Sequence, residues 1–191
     1  MMQPAVPDSS LDRAALLDLL RDRSVKRGEF VLASGAHSSY YIDARLTTMS
    51  GEGQRMIGRV GLLELHRRGW NPSHVGGLTL GADPVSYAIA HASAIAGRAI
   101  DAFTVRKEAK GHGRGRLIEG ADLAGKRVVI IEDVITTGGS ALRAIGNVRE
   151  AGAEVLGVLA VVDRGEGGRQ ALEQEGFEVI ALATAEELLN G

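Results

Sequence analysis

The sequence contains no cysteine. That excludes a disulfide scaffold and any Cys-ligated zinc or iron–sulfur site. Proline is scarce at 4 of 191 residues, which with no G-X-Y period excludes collagen and proline-rich disorder. No apolar run approaches the roughly 18 residues needed to span a bilayer; the longest lie within Val155–Val162. The first ten residues lack a basic segment followed by an apolar one, so no secretory signal peptide is expected. The net charge of −2 lacks the Lys/Arg excess of a nucleic-acid binder. A soluble, cytoplasmic, globular chain is expected, a single domain over residues 1–191. Its 45% hydrophobic content is enough for a sizeable core. The surplus is glycine: 26 residues, about twice the usual share.

The pattern along the chain alternates. Leu11 to about Arg23 reads as a helix behind a Ser9-x-x-Asp12 box. Val25–Leu46 reads as short strands and turns, and Gln54–Arg68 as a helix stopped by Gly69. Strands are then expected at Val75–Leu80, Ile100–Val105, Lys126–Asp133, Val155–Val162 and Val179–Ala183. Helices are expected at Pro84–Ala96, Ser140–Ala151 and Ala171–Gly176. Continuous apolar strands between helices imply an α/β fold: a mostly parallel central sheet covered on both faces.

The sharpest segment is V-V-I-I-E-D-V-I-T-T-G-G-S-A-L, from Val128 to Leu142. A buried strand delivers Glu132 and Asp133 to its C-terminal end, where open parallel sheets bind ligands. Thr136-Thr137-Gly138-Gly139-Ser140 then leads into a helix, whose free N–H groups and partial positive charge suit a phosphate. The loop is neither a Walker A motif nor G-x-G-x-x-G. Paired acids are poor phosphate ligands and good hydroxyl ligands, so a phosphorylated sugar fits the order. This string resembles the phosphoribosyl-diphosphate (PRPP) motif of the type I phosphoribosyltransferases, with Glu132 where many members have Asp.

A second segment, T-V-R-K-E-A-K-G-H-G-R-G-R from Thr104 to Arg116, carries +4 in 13 residues and leaves −6 on the rest of the chain. Three glycines loosen it, and no aromatic is interleaved for base stacking, so an anion-clamping lid is favoured over RNA binding. With L-I-E-G following it, the segment resembles the catalytic loop of the orotate phosphoribosyltransferases. The hood-like string G-E-F-V-L-A-S-G-A-H-S-S-Y-Y-I-D-A-R (Gly28–Arg45) and V-V-D-R (Val161–Arg164) resemble the same family.

That resemblance implies the type I phosphoribosyltransferase fold, with a hood within about residues 1–50, a core sheet within about 70–183 and a mobile catalytic loop. It implies transfer of ribose 5-phosphate from PRPP to N1 of orotate, with Mg²⁺ held mainly through PRPP and no direct protein ligand assigned. It assigns Arg106, Lys107, Lys110 and His112 to the diphosphate and Glu132 and Asp133 to the ribose hydroxyls. The run on through Val134 and Ile135 to Thr136, Thr137, Gly138, Gly139 and Ser140 goes to PRPP and its 5′-phosphate. Thr136 and Arg164 would meet orotate. Lys107, Lys110, His112 and Asp133 would be catalytic. The family pattern further implies a homodimer whose lid is shared across subunits, with no nucleic-acid or membrane partner. The alternatives are a purine phosphoribosyltransferase and a non-catalytic PRPP-sensing regulator.

Two departures stand out. Ala33 occupies the place of a hood lysine, and Gly77–Pro84 lacks the lysine found near the diphosphate in many members, leaving a glycine turn to bind it. Asp83 reads as a helix N-cap before Pro84, or else as a water-mediated Mg²⁺ contact. One of Tyr40 and Tyr41 is expected in the base pocket and the other in the core. His37, His66, His74 and His91 show no metal-ligand spacing. Eleven glycines fall in four expected ligand loops: Gly76, Gly77, Gly81; Gly111, Gly113, Gly115; Gly138, Gly139; Gly165, Gly167, Gly168.

Overall fold

A computed structural model describes residues 9–31, 35, 37–108 and 117–190, with backbone alone for residues 9–11. The chain runs α1 (Ser9–Ser24), β1 (Val25–Val31), β2 (His37–Ile42), α2 (Arg45–Thr48), α3 (Gly51–Arg67), β3 (His74–Leu78), α4 (Ala82–Ile95) and β4 (Asp101–Val105). It continues β5 (Ile118–Glu119), β6 (Arg127–Ile135), α5 (Gly139–Glu150), β7 (Glu154–Asp163), α6 (Gly168–Gln174), β8 (Val179–Thr184) and α7 (Ala185–Asn190).

The six-stranded sheet has the order β5-β4-β3-β6-β7-β8. All its pairings are parallel except β4 with β5. The V-V-I-I run explains the layering. Successive side chains of β6 point to opposite faces. Val129 and Ile131 enter a core with Leu16, Ile57, Val60 and Ile89, under α1, α3 and α4. Val128 and Ile130 enter a second core with Ala144, Ile145, Val148 and Leu172, under α5 and α6. Burying both faces is what the continuous apolar pattern required. A separate antiparallel hairpin joins β1 to β2, with a register shift between Arg27 and Phe30.

The expected α/β architecture holds, with differences; one is the four-residue helix α2 at Arg45–Thr48, where strands and turns were expected to Leu46. The strand carrying the acids does not stop at Asp133: its pairing with β7 runs on to Ile135↔Asp163, because Val134 and Ile135 continue the apolar pattern. The two-residue β5 and the final helix α7 were not foreseen, being too short to show a period. Gly76 and Gly77 lie inside β3, not in a ligand loop. A Cβ on Gly77 would stand 2.1 Å from the Ile131 carbonyl and one on Gly76 2.2 Å from the Phe103 carbonyl, so both are glycine for packing.

No described helix is long and apolar enough to cross a membrane. Helix α7 is tied to α1. Arg13 pairs with Glu187 at 2.7 Å, and Arg21 donates to the Glu187 carbonyl at 2.9 Å. Burial alone would raise the Glu187 carboxyl, but hydrogen bonds from Arg13 and Thr184 outweigh it and hold the group below its ordinary value.

Candidate active site

Strand order reverses between β3 and β6: the chain proceeds outward to β4 on one side and to β7 and β8 on the other. At such a switch point the loops diverge and leave a crevice beyond the strand ends. The crevice here is about 320 Å³. The end of β3 and its turn (Leu78 to Gly81) form one wall, and Glu132, Asp133, Val134, Thr136 and Ser140 form the floor. Arg164, just past β7, and Tyr41 to Arg45 from the hairpin and α2 close it, with Lys107 at the rim.

Glu132 is 6% exposed and its Oε1 has no hydrogen-bond partner. Burial, reinforced by the neighbouring Asp133 charge, pushes its carboxyl up to about 8. Burial also raises Asp133, against the opposing pull of the Val134 N–H, 2.9 Å from Oδ1, and of the Arg45 charge. The glycine at 81 is explained here: a Cβ would stand 2.4 Å from Asp133 Oδ1. The Thr79–Leu80 peptide in the same wall is cis.

Past β6 the chain turns at Gly138, whose φ of +81° is left-handed, and α5 begins at Gly139. Gly138 also packs against α6: a Cβ there would be 2.9 Å from the Gly168 carbonyl. This turn presents the start of a 12-residue helix beside the Thr136 and Ser140 hydroxyls.

Arg164 is held in place at the edge of the crevice. Its side chain is 9% exposed, Nη2 pairs with Glu166 at 2.8 Å, and its guanidinium carbon lies 5.9 Å from the Tyr40 ring centroid. Its Nε is buried without a partner. Tyr40 packs against the core while Tyr41 lines the crevice and tilts on Phe30, which resolves the expectation that one of the two is core.

The crevice therefore unites Lys107, Glu132, Asp133, Val134, Thr136, Ser140 and Arg164. Thr137 is exposed in the same turn. Ile135 instead turns its side chain into the core beneath α5. Arg106 pairs with Glu119 at 3.6 Å, outside the lining. The root of the basic loop is bound to α5, where Arg143 donates to the Lys107 carbonyl. Lys110, His112 and the glycines at 111, 113 and 115 lie outside the described residues, as does Ala33. Gly165, Gly167 and Gly168 do not line the crevice; Gly168 packs under the Thr136 carbonyl. Asp83 is not a cap: the N-cap of α4 is Gly81, and Asp83 sits within the first turn.

Asp43 and Arg45, marked in the sequence only as part of the hood-like string, also line the crevice. Arg45 forks onto Asp43, Nε at 2.9 Å and Nη2 at 3.2 Å, and this bond holds the Asp43 carboxyl below its usual range.

Paired acids on a strand end, a hydroxyl and glycine turn at a helix start, and a basic residue at the rim define a phosphoribosyltransferase site. The phosphoribosyl transferase domain model matches residues 62–184, and the chain belongs to that family. Within it the chain stands among the orotate phosphoribosyltransferases. The orotate phosphoribosyltransferase of Aquifex aeolicus is 48% identical over 182 residues, covering 94% of this chain and 98% of the relative. The crystal structure of the Mycobacterium tuberculosis orotate phosphoribosyltransferase in complex with Fe(III) dicitrate superposes with a TM-score of 0.83 at 47% identity, covering 93% of this chain and 98% of the other. The same enzyme in complex with PRPP gives 0.76 at 41%, covering 93% and 92%.

Proposed function

We propose that this chain, working as one domain, transfers ribose 5-phosphate from PRPP to N1 of orotate, yielding orotidine 5′-monophosphate and diphosphate in the de novo route to UMP. The observation that carries this reading is the run along β6 into α5: the buried Glu132 and half-buried Asp133, then hydroxyls and glycines, in one crevice with Arg164.

In this reading the 5′-phosphate occupies the Thr136–Ser140 turn, taking N–H groups at the helix start and hydroxyl donors. Glu132 and Asp133 accept from the ribose hydroxyls and lie beside the positive charge that grows on the ribose. Arg164, braced by Glu166 and the Tyr40 ring, pairs with the orotate carboxylate. The C1–oxygen bond breaks and its electron pair leaves with diphosphate, while N1 of orotate supplies the pair of the new bond and gives up its proton to the departing diphosphate. No protein nucleophile is needed. Lys107, with Arg106, Lys110 and His112 of the basic loop, stabilises the leaving diphosphate, and closure of that loop excludes water.

The donor set fits Mg²⁺ carried in with the substrate. No cluster of three or more His, Asp or Glu forms a cage among the described residues. Mg²⁺ commonly relies on one or two carboxylates and substrate phosphates. Glu132 and Asp133 would hold it through the ribose hydroxyls. Bound there, it would supply Lewis-acid charge to the diphosphate oxygens. The same reading makes the protein a cytoplasmic homodimer whose basic loop reaches the neighbouring site, without nucleic-acid or membrane partners.

The test is direct. Orotate, PRPP and Mg²⁺ are mixed with the protein, and the loss of orotate's ultraviolet absorbance is followed. Loss that requires all three is expected. Turnover of a purine but not orotate would replace the base, and PRPP binding without turnover of any base would remove the enzymatic reading.

A further inference from the structure

Behind the Thr79–Gly81 wall lies a carboxylate with no task in the mechanism above. Asp83 is 9% exposed and does not line the crevice. Both its oxygens are engaged: Thr79 Oγ1 donates to Oδ2 at 2.7 Å and Thr104 Oγ1 to Oδ1 at 2.8 Å. Thr79 is the first residue past β3, and Thr104 belongs to β4. One side chain in the first turn of α4 thus joins the crevice wall to the neighbouring strand. The backbone repeats the link, with the Thr79 N–H donating to the Val105 carbonyl at 2.8 Å.

This arrangement leaves Asp83 neither a cap nor a ligand. The N-cap place is taken by Gly81, and a carboxylate touching diphosphate would repel it. A buried carboxylate with two hydroxyl donors is costly to leave half-satisfied, so it fixes the groups that satisfy it. What it fixes matters because Leu78–Gly81 carries no cationic side chain. With the Thr79 N–H already donated to Val105, this stretch of wall offers an anion only the backbone N–H groups that follow it, which act only if they are correctly aimed.

We propose that Asp83 is a positioning residue that clamps Thr79 and Thr104, so that the backbone of the Thr79–Gly81 turn is held ready for the leaving diphosphate. Fixed dipoles then take the part that a lysine would play in this turn. The inference rests on reading the crevice as a PRPP site.

Calorimetric titration tests it. Diphosphate with Mg²⁺ is titrated into the wild-type chain and into Asp83→Ala, Asp83→Asn and Thr104→Val, with ribose 5-phosphate as the control ligand for the Thr136–Ser140 turn. Asp83→Ala should weaken diphosphate roughly tenfold or more, and Thr104→Val about threefold. Asp83→Asn, which can accept from one threonine and donate to the other, should stay within about twofold of wild type. Ribose 5-phosphate affinity should be unchanged throughout. If Asp83→Ala does not fold, Thr104→Val, outside the crevice, carries the test. The proposal is overturned by wild-type diphosphate affinity in the folded variants, by equal losses for both ligands, by an Asn variant as damaged as Ala, or by a wild-type chain that does not bind diphosphate. Orotate turnover by the wild-type chain is read separately and judges only the reaction.

Discussion

Replacing Glu132 with glutamine should raise the melting temperature of the ligand-free protein by an amount that grows with pH. In the folded chain Glu132 keeps its proton until about pH 8, because burial and the adjacent Asp133 disfavour its charge. In the unfolded chain it ionises at the ordinary 4.5. The native state therefore binds the extra proton between those values. The associated stability is complete below pH 4.5, falls as pH rises towards 8, and is gone above it. At about 1.36 kcal/mol per unit, the loss reaches about 4 kcal/mol by pH 7.5. For a chain of this size that corresponds to roughly 10 °C. Glutamine has the shape of the protonated acid and does not titrate. Asp133 is present in both proteins, so its own raised pKa largely cancels in the comparison. The assay is a series of thermal melts from pH 5 to 9 with chelator and without substrate. The two curves should lie close at pH 5 and separate steadily to pH 8. A constant gap across that range would refute the reasoning, because it would mean that Glu132 ionises alike in both states.

Arg164→Ala should cut kcat/KM for orotate by roughly 30- to 150-fold through loss of a paired guanidinium, while PRPP affinity changes little; steady-state kinetics against each substrate checks this. Gly81→Ala drives a methyl group into the Asp133 carboxylate. Turnover should fall about tenfold or more with the circular dichroism spectrum preserved, and wild-type rates would show that the turn has slack. Lys107→Ala and Asp133→Asn proteins should each be nearly inactive, and mixing them should restore part of the activity in the heterodimer; no recovery would count against a lid shared between subunits.

The strands and long helices were legible because burial on both faces writes itself as apolar runs and helical periods. The acids, hydroxyls and glycines of β6 and its turn were legible because their order is the chemistry. What escaped was set by contacts distant in sequence. Gly76 and Gly77 resemble loop glycines until β4 and β6 are seen pressing on them. Asp83 reads as a cap from its neighbour Pro84, and only Thr104, 21 positions away, shows otherwise. The fork of Arg45 on Asp43 was in view as residue types, but nothing local says that it faces Asp133.

The meeting of β3 and β6 has one more consequence. The two strands touch at only three register pairs, His74↔Val128, Val75↔Val129 and Gly76↔Ile130. The crevice opens beyond that short seam, one lip made before the basic loop and the other after it. Neither segment of the chain holds a working half-site, so turnover doubles as a gauge of complete assembly. Two fragments divided between β4 and β6 would have to pair along that seam before the crevice could form.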